Sequence, residues 1–294
     1  MTKISIIVLS YNHEKFISQN LHGIFSQIVN AHVEVIICDD HSTDDTASVI
    51  NGIISSVPEN FEVKFFPHQK NLGATPNFYF AMEQVTGDFV AFCEGDDYWT
   101  DPEKLQTQIN FLQSNIDYSL CFHTAVNISD DPEINETLFS TVEDREYSAL
   151  EIYKHWTVHT ATVMMRSEVL RSDAKKCTLR ETDLQYFDTV LFLAASTIGK
   201  LRGNPKKMSA YRRHEAGLSA GKTNSKRDLQ HNKLDQIIGK YYGGEIKKLS
   251  DWLIFSRSIL NFDILRKENK IFAAFKFLPW LLRNRIFIYH FLKK

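Results

Sequence analysis

Three carboxylate side chains stand close together in the first third of the chain: Glu94, Asp96 and Asp97. They follow the apolar run Phe89–Cys93, which predicts a short buried strand. Because clustered carboxylates repel one another, such a group often holds a cation, and hard oxygen ligands suit Mg²⁺ or Mn²⁺. A cation bound there could carry a phosphate group. The alternative interpretation is a solvated acidic turn.

Two earlier strands also end in polar residues. Ser10 and Asn12 follow the first strand, at 4–9, and Asp39 and Asp40 follow the second, at 33–38. In an open α/β sheet the ligands sit at the carboxyl ends of the strands. Three strand ends that deliver polar groups to one edge make a binding site there more credible than any single cluster does.

The elements that must position these groups alternate between strand and helix. Strands are predicted at 4–9, 33–38, 62–66 and 89–93, and helices at 16–28, after Ser42 or Thr43, at 75–85 and at 102–112. Short connections between such elements imply a mostly parallel sheet covered by helices. Neither the GxGxxG nor the GxxxxGK[ST] pattern is present, which argues against a Rossmann dehydrogenase and a P-loop protein.

The second half of the chain is predicted to add strands and a surface insertion. The strands are expected at 118–122, 160–165 and 207–213, and the insertion at 128–147. A helix capped by Thr182 should carry Asp188 on its apolar stripe. That carboxylate is either a hydrogen-bonded or ion-paired core residue or a base facing a cleft. His214, beside small residues, is either a surface side chain or part of a loop that closes over a ligand.

The last 70 residues differ in character from the rest. Two helices are predicted over 226–268, with a break near Gly243-Gly244, and the segment 270–294 contains six cations and no acidic residue among many apolar side chains. This basic, amphipathic tail is typical of contact with an anionic membrane surface. The alternative is a helix packed on the rest of the protein with its lysines in solvent.

The bulk composition narrows the class of protein. The 294 residues carry a formal net charge of −2, so no overall positive field would recruit nucleic acid. The four cysteines are far apart, which indicates a reducing, cytosolic setting. The N-terminus enters a strand at once, without the apolar region of a signal peptide, and no apolar stretch approaches the ~20 residues that span a bilayer.

Over roughly residues 1–220 the chain resembles the family-2 glycosyltransferases, which have the GT-A fold. Four segments carry the resemblance in the right order: Val8-Leu9-Ser10-Tyr11-Asn12, the stretch Glu34 to Asp44, Asn71-Leu72-Gly73, and Gly87-Asp88 through Asp96-Asp97-Tyr98-Trp99. Two departures are His41, where the family often has Gly or Asn, and Glu94, where many relatives carry Asp. The resemblance implies an α/β GT-A fold with a helical C-terminal appendage.

The resemblance also implies a role for each matching residue. Asp40 would bind the base of a nucleotide, with Ser10 and Asn12 at the same pocket edge, and Asp96 would face the ribose or the sugar. Asp97 would ligate Mn²⁺ or Mg²⁺, with His214 near the metal. Asp188 matches the general base, and Glu181 and Asp183 are the fallback candidates for that role.

The expected protein is therefore an inverting glycosyltransferase with a UDP-sugar donor and a glycan acceptor that is lipid-linked. Residues 1–222 would form the catalytic domain, with a nucleotide-binding half at 1–115 and an acceptor-binding half at 116–222, and residues 223–294 the helical basic region. We expect a cytoplasmic protein on the inner face of the cytoplasmic membrane. A sugar nucleotidyltransferase and a non-catalytic sugar-nucleotide or glycan-binding module are the alternatives.

Overall fold

The computed structural model describes residues 2–129, 135–172, 188–214, 217 and 225–283. These residues divide into two compact units. The first holds the described residues up to 172 together with 191–214 and 217, and the second holds 188–190 and 225–283. The predicted helix cap at Thr182 and the fallback bases Glu181 and Asp183 lie outside the described residues.

The first half of the first unit is a parallel sheet. Its strands are β1 (Lys3–Ser10), β2 (His32–Asp39), β3 (Phe61–Pro67) and β4 (Phe89–Phe92), in the spatial order β3-β2-β1-β4. The strands pair in parallel throughout, as predicted. β1, β2 and β4 are buried along nearly their whole length, because helices cover both faces of a parallel sheet and leave no solvent-facing side.

Helices connect these strands. They are α1 (Ile17–Phe25), α2 (Thr46–Ile54), α3 (Ala74–Glu83) and α4 (Lys104–Ser114). Each helix packs an apolar face against the sheet, as α1 illustrates. Its residues Ile17, Leu21 and Ile24 recur at helical spacing and are fully buried in the core. Since parallel strands run the same way, the residues that follow β1, β2 and β4 all emerge at one edge of the sheet, called here the carboxyl edge.

The second half of the first unit mixes parallel and antiparallel pairing. The further strands are β5 (Tyr98–Trp99), β6 (Tyr118–Ser129), β7 (Thr137–Leu138), β8 (Glu146–Tyr147), β9 (Met164–Arg166) and β10 (Lys200–Arg213), and the helices are α5 (Ala149–His155) and α6 (Asp188–Ser196). From β4 the order continues as β9-β6-β10-β5. β9 runs antiparallel to both of its neighbours, whereas the long strands β6 and β10 pair in parallel. The sheet is therefore mostly parallel, as predicted, and its antiparallel pairings are short and lie in the second half.

The strand predicted at 160–165 begins four residues late. Thr160–Thr162 form a 3₁₀ turn, and the paired strand comprises Met164–Arg166. The reason is local: the hydroxyl of Thr162 donates to the carbonyl of His159 at 2.6 Å, and the Thr162 amide donates to the same carbonyl at 3.0 Å. Such side-chain hydrogen bonds give the backbone an alternative to a strand.

At the opposite, amino edge of the sheet a single carboxylate joins three strands. Glu34 of β2 is fully buried and accepts hydrogen bonds from Ser5 and from the amide and hydroxyl of Thr86, each of the latter at 2.7 Å. Lys3 and Lys64 reach it at 2.9 and 2.8 Å. Burial alone would raise the pKa of Glu34, but these bonds, led by those of Lys64 and Ser5, hold it well below its usual value.

The second unit is helical. Its helices are α7 (Ser225–Tyr242), α8 (Gly244–Lys267), α9 (Ile271–Phe275) and α10 (Leu278–Arg283), and the break at Gly243 falls where the sequence predicts it. Arg257 pairs with Asp235 at 2.8 Å, and Asn261 donates to Asp228 at 2.9 Å, so a polar network joins α7 to α8. Among the described helices, none combines the length and the apolar character that crossing a bilayer requires.

Candidate active site

The loops after β1 and β2 hold each other at the carboxyl edge. The Asn12 amide donates to the hydroxyl of Ser42 at 2.9 Å, and the side-chain oxygen of Asn12 accepts from the Thr43 amide at 2.8 Å. Both loops turn through the left-handed region, at Asn12 (φ 56°) and His41 (φ 62°). Asn and His adopt this conformation more often than most residues, but the Cβ of each crowds the backbone there, which Gly would avoid. Asn12 therefore has a structural role at the edge where the sequence places it.

Ser10 is bound to the first of the two aspartates after β2. Its buried hydroxyl donates to Asp39 Oδ1 at 2.9 Å, and the Ser42 amide donates to Asp39 Oδ2 at 3.0 Å. Asp39 thus connects the end of β1 to the loop that follows β2.

The carboxylate of Asp40 lies against the loop that precedes α3. Oδ1 accepts from the Leu72 amide at 2.6 Å, and Oδ2 accepts from the Gly73 amide at 2.9 Å. Gly73 sits at φ 90°, a conformation that favours glycine. Each carboxylate oxygen has capacity for a second hydrogen bond. Asp40 is therefore firmly oriented and retains acceptor capacity for a ligand.

The loop after β4 is shaped by one buried amide. The side-chain nitrogen of Asn20, on α1, donates to the carbonyls of Glu94 at 2.7 Å and Asp97 at 2.9 Å. Gly95 lies between them, and a Cβ on it would come within 2.7 Å of His13 Nδ1 and 3.0 Å of the Leu9 carbonyl. Only glycine lets this loop lie so close to the end of β1, which brings the carboxylates of the loop to the carboxyl edge.

Asp96 lies between two histidines. Its Oδ2 is 3.0 Å from His214 Nε2 and 3.8 Å from His13 Nε2. The His214 ring also packs on Phe16, with ring centroids 4.8 Å apart. Burial alone would raise the pKa of Asp96, but the hydrogen bond from His214 and the charge of His13 together hold it below its usual value. Asp96 is thus an ionised carboxylate at the edge.

Asp97 is buried in a different setting. Its Oδ1 accepts from the Arg212 amide on β10 at 2.9 Å, and its Oδ2 is 3.6 Å from His159 Nε2. Burial, together with the charges of Asp96 and Glu94, raises its pKa well above the usual range. Burial lowers the pKa of His159 to about 4, against the opposing charge of Asp96. A carboxylate with this much unfavourable charge around it is the group that an added cation would stabilise most.

Arg212 connects this loop to α1. Its Nε donates to the Asp96 carbonyl at 3.1 Å, and a terminal nitrogen donates to Gln19 at 2.6 Å. The guanidinium stacks 4.8 Å from the centroid of the Phe16 ring. The end of β10 is therefore tied to the carboxylate loop through side chain and backbone together.

Six of the seven residues that the sequence nominates lie in the first unit at this edge: Ser10, Asn12, Asp40, Asp96, Asp97 and His214. In the structure His214 contacts Asp96, and the histidine that lies beside Asp97 is His159. The seventh, Asp188, is a half-buried residue at the start of α6 and belongs to the second unit, so its role stays a prediction.

Three contact residues were missed by sequence reasoning: His13, His159 and Arg212. His13 directly follows the Ser10–Asn12 segment, and Arg212 lies two residues before His214, so nearness along the chain could have indicated both. Nothing in the sequence around His159 indicates its contact with Asp97, because the pairing of β9 and β10 with distant strands creates it.

The residues fit a hard divalent cation that is completed by other oxygen ligands. Asp97 and Asp96 supply carboxylate oxygens, and the raised pKa of Asp97 marks negative charge that the protein itself leaves incompletely balanced. Within the described residues, no three His, Cys, Asp or Glu side chains converge into a ready-made metal cage. Mg²⁺ in particular is commonly held by one or two carboxylates together with substrate phosphates and water, which agrees with this arrangement.

A parallel β-α half followed by a mixed half, with carboxylates at the carboxyl edge, defines the GT-A class of fold. The chain belongs to glycosyl transferase family 2, whose family model matches residues 5–172. The prediction of the family and fold is thereby confirmed.

Comparisons with individual proteins agree with this assignment. An uncharacterised protein of Mycobacterium tuberculosis is 31% identical over 215 residues, which are 73% of this chain and 60% of that protein. A β-1,3-glucosyltransferase of Escherichia coli, WfaP, is 27% identical over 222 residues, which are 76% of this chain and 82% of that enzyme. The chain thus spans about 60% of the length of the first curated relatives that it matches.

A solved structure shares the fold. TarS residues 1–349 of S. aureus, crystallised with UDP-GlcNAc, superimposes with a TM-score of 0.64 at 19% identity, covering 88% of this chain and 72% of that one. At this level of identity the likeness is one of fold.

Proposed function

We propose that the chain is an inverting glycosyltransferase that moves a sugar from a UDP-sugar onto a hydroxyl group of a growing, lipid-linked glycan. The observation that carries the proposal is the convergence of Asp40, Asp96 and Asp97 at the carboxyl edge of a chain of this family. Ligands of open α/β sheets bind at that edge.

The nucleotide half of the proposal rests on Asp40. Two backbone amides orient its carboxylate, and each oxygen keeps room for one more hydrogen bond. A uracil base offers the N3–H donor that such an acceptor would bind. The name of WfaP specifies UDP-Glc as the donor of that relative. Ser10 and Asn12 support the pocket by holding the loops, and Asp96 would face the ribose or the sugar.

Asp97 and His214 would hold a Mn²⁺ or Mg²⁺ ion, with His214 reaching the site through its contact with Asp96. Such an ion would supply Lewis-acid stabilisation of the charge on the leaving diphosphate. The protein's own contribution is to keep both side chains in place: Arg212 holds Asp97 through its backbone amide, and Phe16 supports the ring of His214.

Asp188 would act as the general base. It would accept the proton of the acceptor hydroxyl as that oxygen attacks the anomeric carbon from the face opposite the diphosphate, and a single displacement inverts the configuration. Asp188→Asn should lower turnover by ~10²–10⁴ while sparing donor binding. Asp183→Asn tests the fallback candidate five residues earlier in the chain and should retain turnover. Near-normal turnover of Asp188→Asn would refute the assignment.

Two observations support a lipid-linked acceptor: the name of a related enzyme, and exposed apolar side chains in the second unit. The name of WfaP specifies a sugar linked to diphosphoundecaprenol, a lipid carrier. On α9, Phe272 is 92% exposed, Ile271 53% and Phe275 52%, with the exposed cations Lys270 and Lys276 on either side. Exposed aromatic side chains flanked by cations suit an anionic lipid surface.

Membrane contact can be measured by sedimentation with vesicles of neutral and anionic lipid. The double change Phe272→Ser, Phe275→Ser should weaken binding to anionic vesicles by at least about tenfold, because it removes the apolar surface that each phenylalanine would bury in the lipid. Leu260→Ser is the control, as Leu260 is 55% exposed on α8, away from this cluster in the sequence. Equal binding of the double variant and the parent would rule out this surface.

The experiment that tests the proposed function is a calorimetric titration with UDP, GDP and CDP, with and without Mn²⁺. We expect UDP to bind most tightly and Mn²⁺ to strengthen the binding. Asp97→Ala should abolish the metal effect and leave a weak, metal-independent component. If no nucleotide binds under any metal condition, the donor proposal is wrong and a glycan-binding module becomes the better interpretation.

A further inference from the structure

We infer that His159 is the positioning residue of the metal site: it directs an N–H group at Asp97 Oδ2 and so fixes the orientation in which Asp97 meets a cation. The inference rests on the proposed function, because it concerns the carboxylate assigned to the metal. His159 lies more than 60 residues from Asp97 in the chain, in the turn before β9.

The tautomer of His159 follows from one hydrogen bond. The Ala161 amide donates to His159 Nδ1 at 3.2 Å, at the start of the 3₁₀ turn Thr160–Thr162. An imidazole nitrogen that accepts a hydrogen bond carries no proton, so the ring proton is on Nε2. Nε2 is the atom 3.6 Å from Asp97 Oδ2. The distance is too long for a direct hydrogen bond, but it places the donor atom beside the carboxylate oxygen.

The ring of His159 is itself held in place. It packs at a centroid distance of 4.5 Å from Tyr211 and 5.0 Å from Phe139, and its side chain is only 11% exposed. The two hydrogen bonds from Thr162 to the His159 carbonyl anchor the backbone beneath it. A ring that packs against two aromatic side chains and accepts a hydrogen bond at Nδ1 has little freedom to turn, so Nε2 keeps its position.

Asp97 is consequently held from two sides. The Arg212 amide fixes Oδ1 from β10, and His159 faces Oδ2 from the turn before β9. Groups that donate to a ligating carboxylate orient it, and their loss typically lowers metal affinity 10–100-fold. No ligating role is assigned to His159 itself, because its Nε2 carries the proton and its Nδ1 is occupied.

The test measures Mn²⁺ affinity directly, by electron paramagnetic resonance of free Mn²⁺ during titration of the full chain in saturating UDP. His159→Phe keeps the ring and removes both nitrogens, and we expect it to weaken Mn²⁺ binding about 10–100-fold. His159→Gln places an amide N–H near the position of Nε2, and we expect it to restore affinity to within about fivefold of the parent. UDP affinity without metal should be the same in all three proteins.

Two control variants separate positioning from packing. His155→Phe removes an exposed imidazole four residues earlier and should bind Mn²⁺ like the parent. Phe139→Leu keeps the imidazole and loosens one of its packing contacts, so it should weaken Mn²⁺ binding by no more than about threefold, clearly less than His159→Phe does. The inference is overturned if His159→Phe binds Mn²⁺ within twofold of the parent, or if Phe139→Leu loses as much affinity as His159→Phe. A parent protein that binds neither UDP nor Mn²⁺ would overturn the proposed function and this inference together, which distinguishes the two failures.

Discussion

Two buried carboxylates of the same sheet differ in how their charge is compensated: Glu34 at the amino edge and Asp97 at the carboxyl edge. Glu34 receives two lysines, a serine hydroxyl and the amide and hydroxyl of Thr86, and its pKa is held low. Asp97 receives the Arg212 amide and faces His159, with two further carboxylates nearby, and its pKa is raised.

The degree of charge compensation distinguishes a structural carboxylate from one that is suited to bind a ligand. A carboxylate surrounded by cations and donors stabilises the fold and has little left to offer a ligand. A carboxylate that lies close to other carboxylates lowers the free energy of unfolding. Such an arrangement is typical of a site that binds a ligand. In this sheet the charge-compensated carboxylate, Glu34, lies at the amino edge, and the incompletely compensated one, Asp97, lies at the carboxyl edge.

The largest expected effect is on turnover. Asp97→Asn should reduce transfer by about 10³-fold, since metal-ion stabilisation of a leaving group is worth several kcal/mol. The free energy of unfolding should stay unchanged or rise by up to ~1 kcal/mol, because a repelled charge is removed. Initial rates and chemical denaturation measure the two quantities. Asp88→Asn, at the other end of β4, is the control and should retain turnover; a large loss of stability in Asp97→Asn would contradict the comparison.

The converse change acts on stability. Glu34→Gln should lower the free energy of unfolding by ~2–4 kcal/mol, because it leaves two lysines and several donors without their charged acceptor. Turnover per folded molecule should be unaltered. Denaturation in urea measures the change, and Glu62→Gln, which removes an exposed partner of Lys3, is the control. Equal stabilities of the two variants would show that the Glu34 network does not stabilise the sheet.

The two carboxylates should also differ in their response to pH. Glu34 has a lowered pKa in the folded state, so its stabilisation is complete above the unfolded value of about 4.3 and declines as pH falls below it. Between pH 7 and pH 3 the stability gap between the parent and Glu34→Gln should therefore narrow by ~1–2 kcal/mol.

For Asp97 the sign is reversed. Its raised pKa makes the charged form costly in the folded state, so the cost is present at neutral pH and vanishes as pH falls to the unfolded value of about 3.9. Any stability advantage of Asp97→Asn should disappear near pH 4. Urea denaturation of parent and variants across this range checks both trends, and a gap that widens on acidification would contradict them.

The smallest effect concerns backbone strain at the carboxyl edge. His41→Gly should raise the free energy of unfolding by ~0.5 kcal/mol, because relief of the left-handed conformation slightly exceeds the entropy that glycine adds to the unfolded chain. His41→Ala keeps the Cβ and should gain nothing. Thermal denaturation of both variants measures the difference, and an equal gain in the two would show that the His41 side chain, and not its φ, is the source.

Much of the fold could be predicted from the sequence. Apolar and β-branched runs predict β1 to β4, the 3.6-residue periodicity predicts α1, Asp101-Pro102 predicts the start of α4, and the glycine pair predicts the break between α7 and α8. These features are local, and each follows from propensity or from the spacing of apolar residues. The antiparallel setting of β9 was not predictable, because the pairing of a short strand depends on partners far away in the chain.

The residue types and the spacing of the strand-end carboxylates determine that acidic groups meet at one edge, since parallel strands must end on the same side. Only the tertiary structure decides which carboxylate is compensated. His214, which contacts Asp96, and Arg212 and His159, which contact Asp97, come from segments 60 to 120 residues away. Burial and the distances between charges decide the pKa of each group, and both quantities exist only once the chain is folded.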